Sequence, residues 1–84
     1  SVRTSVPFFD QIYQLGQKDN AAGINHDQAK KRAEYFYGNE FLDGIQRKED
    51  FAGKSYSQLQ TQKWRMLMSQ EAAGAYMDGY NGVK

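Results

Sequence analysis

The sequence has no cysteine, one histidine and one proline among its 84 residues. Without thiols it cannot build a disulfide framework, a zinc ribbon, an iron–sulfur cluster or a cysteine nucleophile. Long apolar runs are also missing, since short runs such as Val6-Pro7-Phe8-Phe9 are far from the roughly 20 residues that a membrane helix needs. We therefore expect no membrane span and no thiol chemistry.

The first residues bear on the compartment. The chain starts with Ser1-Val2 rather than with Met, which indicates that an initiator, a signal peptide or a tag has been removed upstream. This start leaves an exported mature chain open, although we favour a soluble cytoplasmic protein.

Side chains for a conventional core are scarce. Val, Ile, Leu and Phe supply 15 of the 84 residues, but a net charge of +1 is too low for a disordered chain. Six Tyr, three Met and one Trp add apolar surface, and each buried aromatic ring removes about 150–250 Å² from water. A chain this short buries only about 60% of its unfolded surface. We expect a core of aromatic rings and a marginal stability that favours association.

The residue balance favours helices. Ala and Gln number 17 together, whereas Val, Ile and Thr number 8, and the first pair suits helices better than strands. The sequence predicts an all-α fold, a small single domain over residues 1–84. It is a bundle of three helices, or of four if the second helix breaks at Gly38 or Gly44. The predicted helices lie near residues 6–16, 26–50 and 56–78.

Capping signals support these boundaries. Ser5 with Pro7 in the first turn, and Asn25 followed by Gln28, are typical of helix starts. Ser55 or Ser57 offers a third start, with Gln58 or Gln60 three positions later, and Asn81-Gly82 is a stop signal. Positions at helical spacing, almost all of them apolar, predict the buried faces. These are Phe8, Ile12 and Leu15, then Ala29, Ala33, Tyr37, Phe41 and Ile45, then Leu59, Lys63, Met66, Leu67, Ala73 and Met77.

One pattern is unusual: four glycines follow a Tyr or Phe by three residues. The pairs are Tyr13/Gly16, Tyr35/Gly38, Phe41/Gly44 and Tyr76/Gly79. Each glycine inside a helix costs about 1 kcal/mol relative to alanine, so close approach of a neighbour is the simplest compensation. The notch beside the ring would accept either another helix of the same chain, which is the simpler explanation, or a side chain of a partner.

Catalytic chemistry is weakly represented. His26 is the only histidine, and we expect it to be an exposed residue of a first helical turn rather than a general base. Asp43 and Asp78 do not lie in a calcium-loop pattern, and no nucleotide or nucleophile motif occurs. We predict a protein that is not an enzyme and has neither metal nor cofactor.

The leading functional hypothesis is a module that binds another protein stoichiometrically, as an inhibitor, adaptor or assembly factor. Protein interfaces favour Tyr, Trp, Met and Arg. We assign Tyr35 and Phe41 to the core. The predicted partner-binding residues are Tyr56, Trp64, Arg65, Tyr76 and Tyr80. Self-association is a further possibility that the sequence leaves open.

The alternative is an RNA- or DNA-binding regulator that uses the basic stretch 30–65. Residues 29–65 carry eight bases and five acids. The predicted phosphate contacts are Lys30, Lys31, Arg32, Arg47, Lys48, Lys54 and Lys63. Against this, acidic residues interleave with the basic ones, and an isoelectric point near 7.9 is low for a nucleic-acid-binding domain.

Overall fold

A computed structural model describes residues 5–51 and 57–84, with the side chains of 49–51 excepted. Within these ranges the chain is helical and has no strand, which confirms the all-α prediction in its four-helix form. The elements are α1 (Pro7–Ala21), α2 (His26–Ala33), a 3₁₀ segment (Glu34–Tyr37), α3 (Asn39–Phe51) and α4 (Gln58–Asn81). At 1.5 Å per residue, the 24-residue α4 is about 36 Å long and accounts for most of the 41 Å long axis of the molecule.

The predicted second helix breaks at Gly38. α2 ends at Ala33, the chain tightens into the 3₁₀ segment, and Gly38 then adopts an extended conformation. The Gly38 carbonyl accepts a hydrogen bond from the Leu42 amide at 3.1 Å, so Gly38 occupies the N-cap position just before α3. Gly44, the other candidate for a break, lies inside α3.

Both predicted capping boxes are present, at the starts of α2 and α4. Asn25 accepts a hydrogen bond from the Gln28 amide at 2.9 Å, and Ser57 accepts one from the Gln60 amide at 3.1 Å. The predicted cap at Ser5 is wrong, because α1 starts one residue later with Val6 at the cap position and Pro7 at the first helical position.

The helix ends depend on two glycines with positive φ. Gly23, at φ +85°, turns the chain between α1 and α2, and Gly82, at φ +73°, ends α4 as the stop signal predicts. α1 continues to Ala21, well beyond the expected end near Gly16. Gly16 lies inside α1, where another helix contacts it directly.

That contact is the crossing of α1 and α4. A Cβ atom at Gly16 would overlap the carbonyl oxygen of Tyr76, and a Cβ atom at Gly79 would overlap the carbonyl oxygen of Tyr13. The two helix backbones therefore touch reciprocally through glycines. We call this contact the α1–α4 crossing. For these two pairs, the notch beside the aromatic residue is filled by a helix of the same chain.

The crossing redefines the buried face of α1. Ile12, Gly16 and Asp19 are buried, whereas Leu15 is 45% exposed, so its assignment to the buried face is wrong. A glycine and an aspartate give no apolar signal, although both occupy the helical spacing of Ile12.

The core lies against the C-terminal half of α4 and consists mainly of small residues and tyrosines. Its buried members are Ile12, Ala29, Ala33, Phe36, Ala72, Ala73, Ala75, Tyr76 and Tyr80. The predicted face of α4 is wrong in its N-terminal half, where Leu59, Met66 and Leu67 are 55–64% exposed. α1 and the 3₁₀ segment pack mainly against the other half of α4, and the face that carries these three residues stays exposed.

Candidate partner-binding groove

An open groove lies between the start of α1, the 3₁₀ segment and α3. Its volume is about 580 Å³. Phe8, Tyr35, Phe41, Gly44 and Ile45 provide its apolar lining. Exposed charged residues of both signs also line it and form what we call its rim, and these are Glu40, Arg47 and Lys48. We call this surface the Gly44 groove.

The rings of the groove are connected to the core. Phe8 and Phe41 are stacked with centroids 6.3 Å apart, and Tyr35 lies 5.8 Å from Phe41. Phe41 also meets Phe36 edge-on at 5.0 Å, and Phe36 lies 6.0 Å from Tyr76. This chain of ring contacts fixes the floor of the groove before any partner arrives, so binding would order few side chains.

The 3₁₀ segment places one of its aromatic residues in the core and leaves Tyr35 at the surface. Phe36 is 5% exposed, whereas Tyr35 is 49% exposed, so the assignment of Tyr35 to the core is wrong. Phe41 is half-buried and packs against the core, as predicted for a core-facing residue. The tight turn directs Phe36 inward and leaves its two tyrosine neighbours at the surface.

A second depression, of about 290 Å³, adjoins the first. It shares Phe8, Ile45 and Lys48 with the Gly44 groove and adds Met68 of α4. Val6 and Phe9 complete its lining. The apolar surface therefore continues over Phe8 and Ile45 toward α4.

Gly44 differs from the glycines of the α1–α4 crossing. The nearest atom that a Cβ at Gly44 would meet is Nη2 of Arg47, at 3.8 Å, which is an ordinary van der Waals contact. Within the described part of the chain, no close approach compensates for a glycine in the middle of α3. The notch of the Phe41/Gly44 pair is thus present but unfilled.

Arg65 of α4 orients α3. Its guanidinium donates to Oε1 of Gln46 at 2.7 Å and to Oδ1 of Asn39 at 3.0 Å, and it pairs with Oδ1 of Asp43 at 3.0 Å. These three acceptors recur at helical spacing, so Arg65 holds the polar stripe of α3 against α4. The stripe that carries Gly44 then lines the open groove.

The residues predicted as partner anchors are dispersed. Tyr56 lies outside the described residues, and Trp64 is half-buried. Arg65 is engaged with α3, while Tyr76 and Tyr80 are 1% and 9% exposed and belong to the core. The groove instead brings together residues that the anchor prediction misses, namely Phe8, Gly44 and Ile45. The Phe41/Gly44 motif is the one sequence signal that indicates this surface.

The two core tyrosines, Tyr76 and Tyr80, can be buried because their hydroxyl groups have hydrogen-bond partners. The Tyr76 hydroxyl donates to the Asp19 carboxylate, which also accepts from Nη1 of Arg32 at 3.3 Å. The Tyr80 hydroxyl donates to the Ile24 carbonyl at 2.5 Å. Burial, reinforced by the Asp19 carboxylate, raises the pKa of Tyr76 well above its ordinary value. These contacts join α4 to α1 and to the turn before α2.

The basic residues occupy separate parts of the fold. Lys30 and Lys31 are exposed on α2, which packs near Tyr76 and Tyr80 of α4. Arg47 and Lys48 lie on α3, which meets α4 at Arg65, about 16 Å along the helix axis from Tyr76. Of the three other residues predicted to contact phosphate, Arg32 pairs with Asp19, Lys63 is exposed on α4, and Lys54 lies outside the described residues.

Neither a metal site nor a membrane span occurs in the described part of the chain. Among these residues no three potential metal ligands cluster, and His26 is exposed with its ring 6.2 Å from that of Tyr80. No helix in the described ranges has the length and apolarity to cross a bilayer. No family model, curated protein or solved structure matches the chain.

Proposed function

We propose that this chain is a non-enzymatic helical module that binds another protein stoichiometrically through the Gly44 groove. The observation that carries the proposal is the unfilled notch at Gly44, flanked by Phe8, Phe41 and Ile45. Burial of apolar surface is the dominant favourable contribution to most protein–protein association.

The layout of the groove suits a protein partner. Binding energy in protein interfaces concentrates on a few central apolar anchors, which a polar rim shields from water. Here the half-buried rings of Phe8 and Phe41 supply the apolar anchors, and the exposed residues Glu40, Arg47 and Lys48 form the polar rim. Because the rim carries both charge signs, it favours a partner with a matching pattern over a uniformly charged polymer such as nucleic acid.

The glycine indicates the shape of the partner. At Gly16 and Gly79, the missing side chain lets another helix backbone come into contact. Gly44 offers the same opening on an accessible helix. A partner helix that lies across α3 would fill the notch, and the flanking rings would pack against its side chains. An inhibitor, adaptor or assembly factor could use such a contact without any catalytic group.

The experiment compares two substitutions that introduce the same charge at apolar positions. Ile45→Glu places a carboxylate in the groove, and Leu67→Glu places one at an exposed position of α4 that does not line the groove. Tagged wild type and both variants are used to capture proteins from extracts of the source cell. Captured species are quantified, and circular dichroism checks that each variant is folded.

We expect a partner in near-equimolar amount that Leu67→Glu retains and Ile45→Glu loses. Equal capture by all three proteins would contradict the groove as the binding surface. Recovery of nucleic acid alone, with affinity falling steeply as salt rises, would instead support the nucleic-acid hypothesis.

A further inference from the structure

We infer that the Gly44 groove binds a second copy of this chain, with α3 of one protomer antiparallel to α3 of the other across a two-fold axis. The inference rests on the part of the proposed function that makes the Gly44 groove a helix-binding surface, and it names the helix that occupies this groove. It draws on three independent features: the internal α1–α4 crossing, the placement of charges around Gly44, and the lack of any reason for that glycine within the described part of the chain.

The α1–α4 crossing provides the template. Gly16 faces the Tyr76 carbonyl and Gly79 faces the Tyr13 carbonyl, so residue numbers rise along one helix as they fall along the other. The two helices are therefore antiparallel, and each contributes one aromatic-x-x-Gly motif. Two such motifs on antiparallel helices are mutually complementary, because each glycine accepts the backbone beside the other motif's aromatic residue.

α3 presents the same motif on the surface. Residues 41–45 (Phe-Leu-Asp-Gly-Ile) and residues 76–80 (Tyr-Met-Asp-Gly-Tyr) share the form apolar, apolar, Asp, Gly, apolar. The second is engaged with α1, whereas the first lines the open groove. If two copies of α3 pair as α1 pairs with α4, each Gly44 meets the backbone near the other Phe41. A two-fold contact of this kind is self-complementary and closes at a dimer.

Charge placement selects the antiparallel arrangement. Glu40 and Lys48 each lie four residues from Gly44, on opposite sides, and both stand at the rim of the groove. Residues four apart share a helix face. In an antiparallel pair with Gly44 of each protomer beside Phe41 of the other, Glu40 of each protomer therefore lies about 4.5 Å along the helix axis from Lys48 of the other, within reach of that long side chain. The pairing occurs twice. A parallel pair would oppose like charges at both ends.

The size of the surface sets the expected strength. A 13-residue helix is about 20 Å long, which places the contact at the low end of specific interfaces. We expect a dimer with a dissociation constant on the order of 10–100 μM. The monomer keeps its own core, so dissociation does not unfold it.

Sedimentation equilibrium of the full chain, from about 5 to 500 μM so as to span that range, is the test. Wild type should shift from monomer to dimer. Gly44→Ala should weaken the dimer at least about tenfold, because a methyl group holds the backbones apart, while its melting temperature stays equal or rises. Leu67→Ser, which removes an exposed apolar side chain outside the groove, should leave the dimer unchanged.

Charge reversal tests the orientation. Glu40→Lys alone and Lys48→Glu alone should each weaken the dimer several-fold, because each creates two like-charge contacts. The double variant should recover wild-type association, since the exchanged charges would again oppose each other across the two-fold axis. Raising the salt concentration should reduce the difference between the single variants and wild type.

The outcomes separate this inference from the proposed function. A wild-type chain that stays monomeric at the highest concentration, or a dimer that Gly44→Ala does not weaken, overturns the second-copy inference. If such a chain still captures another protein in a manner abolished by Ile45→Glu, the proposed function stands and only the occupant is different. If the dimer forms as expected but no other protein is captured, the self-contact is established and binding of a different protein fails.

Discussion

The α1–α4 crossing and the Gly44 groove contain the same sequence motif, but its glycine is covered by another helix in the first and open in the second. At the crossing, two aromatic-x-x-Gly segments face each other, and both glycines touch the opposite backbone. At the groove, a third segment has the same residue types with its glycine open. A glycine notch is therefore a local feature whose use is decided by what lies across from it.

The two regions are also held by different forces. α1 and α4 are joined by backbone contact and buried tyrosines, whereas the described polar links between α3 and α4 come from one arginine. Because Arg65 holds the polar stripe of α3 against α4, the apolar side of α3 lines the groove. Matched substitutions can perturb the two regions in parallel.

The largest effect is expected from alanine at the crossing. Gly16→Ala would drive a methyl group into the Tyr76 carbonyl, so we expect a loss of about 3 kcal/mol or more, or no folded protein. Gly44→Ala makes the same change in α3, where space is free, and should raise the free energy of unfolding by up to about 1 kcal/mol. Urea unfolding followed by circular dichroism measures both. Equal effects at the two sites would remove the distinction between a filled and an open notch.

Tyr76→Phe tests the polar part of the crossing. The change removes the hydroxyl that donates to Asp19 and leaves that carboxylate with Arg32. We expect a loss of about 1–2 kcal/mol. Tyr37→Phe, at a ring that is 56% exposed, serves as the matched control and should change stability little. A Tyr76→Phe protein as stable as wild type would mean that packing alone holds the crossing.

The same tyrosine gives an alkaline pH dependence. Tyr76 has a folded-state pKa raised above the ordinary value of 10.0, so above about pH 10 the unfolded chain releases its proton while the folded chain keeps it. The contribution of Tyr76 is complete below about pH 10 and declines above it, by up to about 1.4 kcal/mol per pH unit. Wild type should therefore lose stability faster than Tyr76→Phe between about pH 9 and 11.5 in parallel urea titrations. Parallel curves would contradict the buried-hydroxyl assignment.

A smaller effect is expected from Arg65→Ala, which removes the polar links between α4 and α3, the helix that carries Gly44. Losing the bonds to Asn39 and Gln46 and the pair with half-exposed Asp43 should cost about 1 kcal/mol. Amide hydrogen exchange should accelerate in α3 and remain slow at the crossing. Lys63→Ala is the control at an exposed position of the same helix. Uniform acceleration through all helices would show that α3 is not held separately.

Local signals predict much of the fold. The capping boxes at Asn25 and Ser57 and the stop at Gly82 are all present. Each depends on hydrogen bonds between residues only a few positions apart, and those contacts can be derived from the sequence. The cap at Ser5 fails because Val6 and Pro7 already define the first turn.

The buried faces are predicted less well. Leu15, Leu59, Met66 and Leu67 have the periodicity of core positions but are exposed. Gly16, which carries no apolar signal, is buried. Apolar periodicity assumes that every helix is covered along its whole length, whereas α4 is covered mainly in its C-terminal half. The candidate site is missed in part for the same reason, since Phe8 and Ile45 form a groove only after α1 and α3 are brought together.

The amino-acid order alone determines where most of the helices start and stop, that the chain is all-α, and that four aromatic residues each precede a glycine by one turn. Hydrogen bonds within a turn and helix propensity act over a few residues, so no tertiary contact is needed to set them. Only the tertiary structure decides that Gly16 and Gly79 meet the opposite backbones while Gly44 stays open. Which backbones approach one another depends on how whole helices pack, and that is settled by residues far apart in the chain.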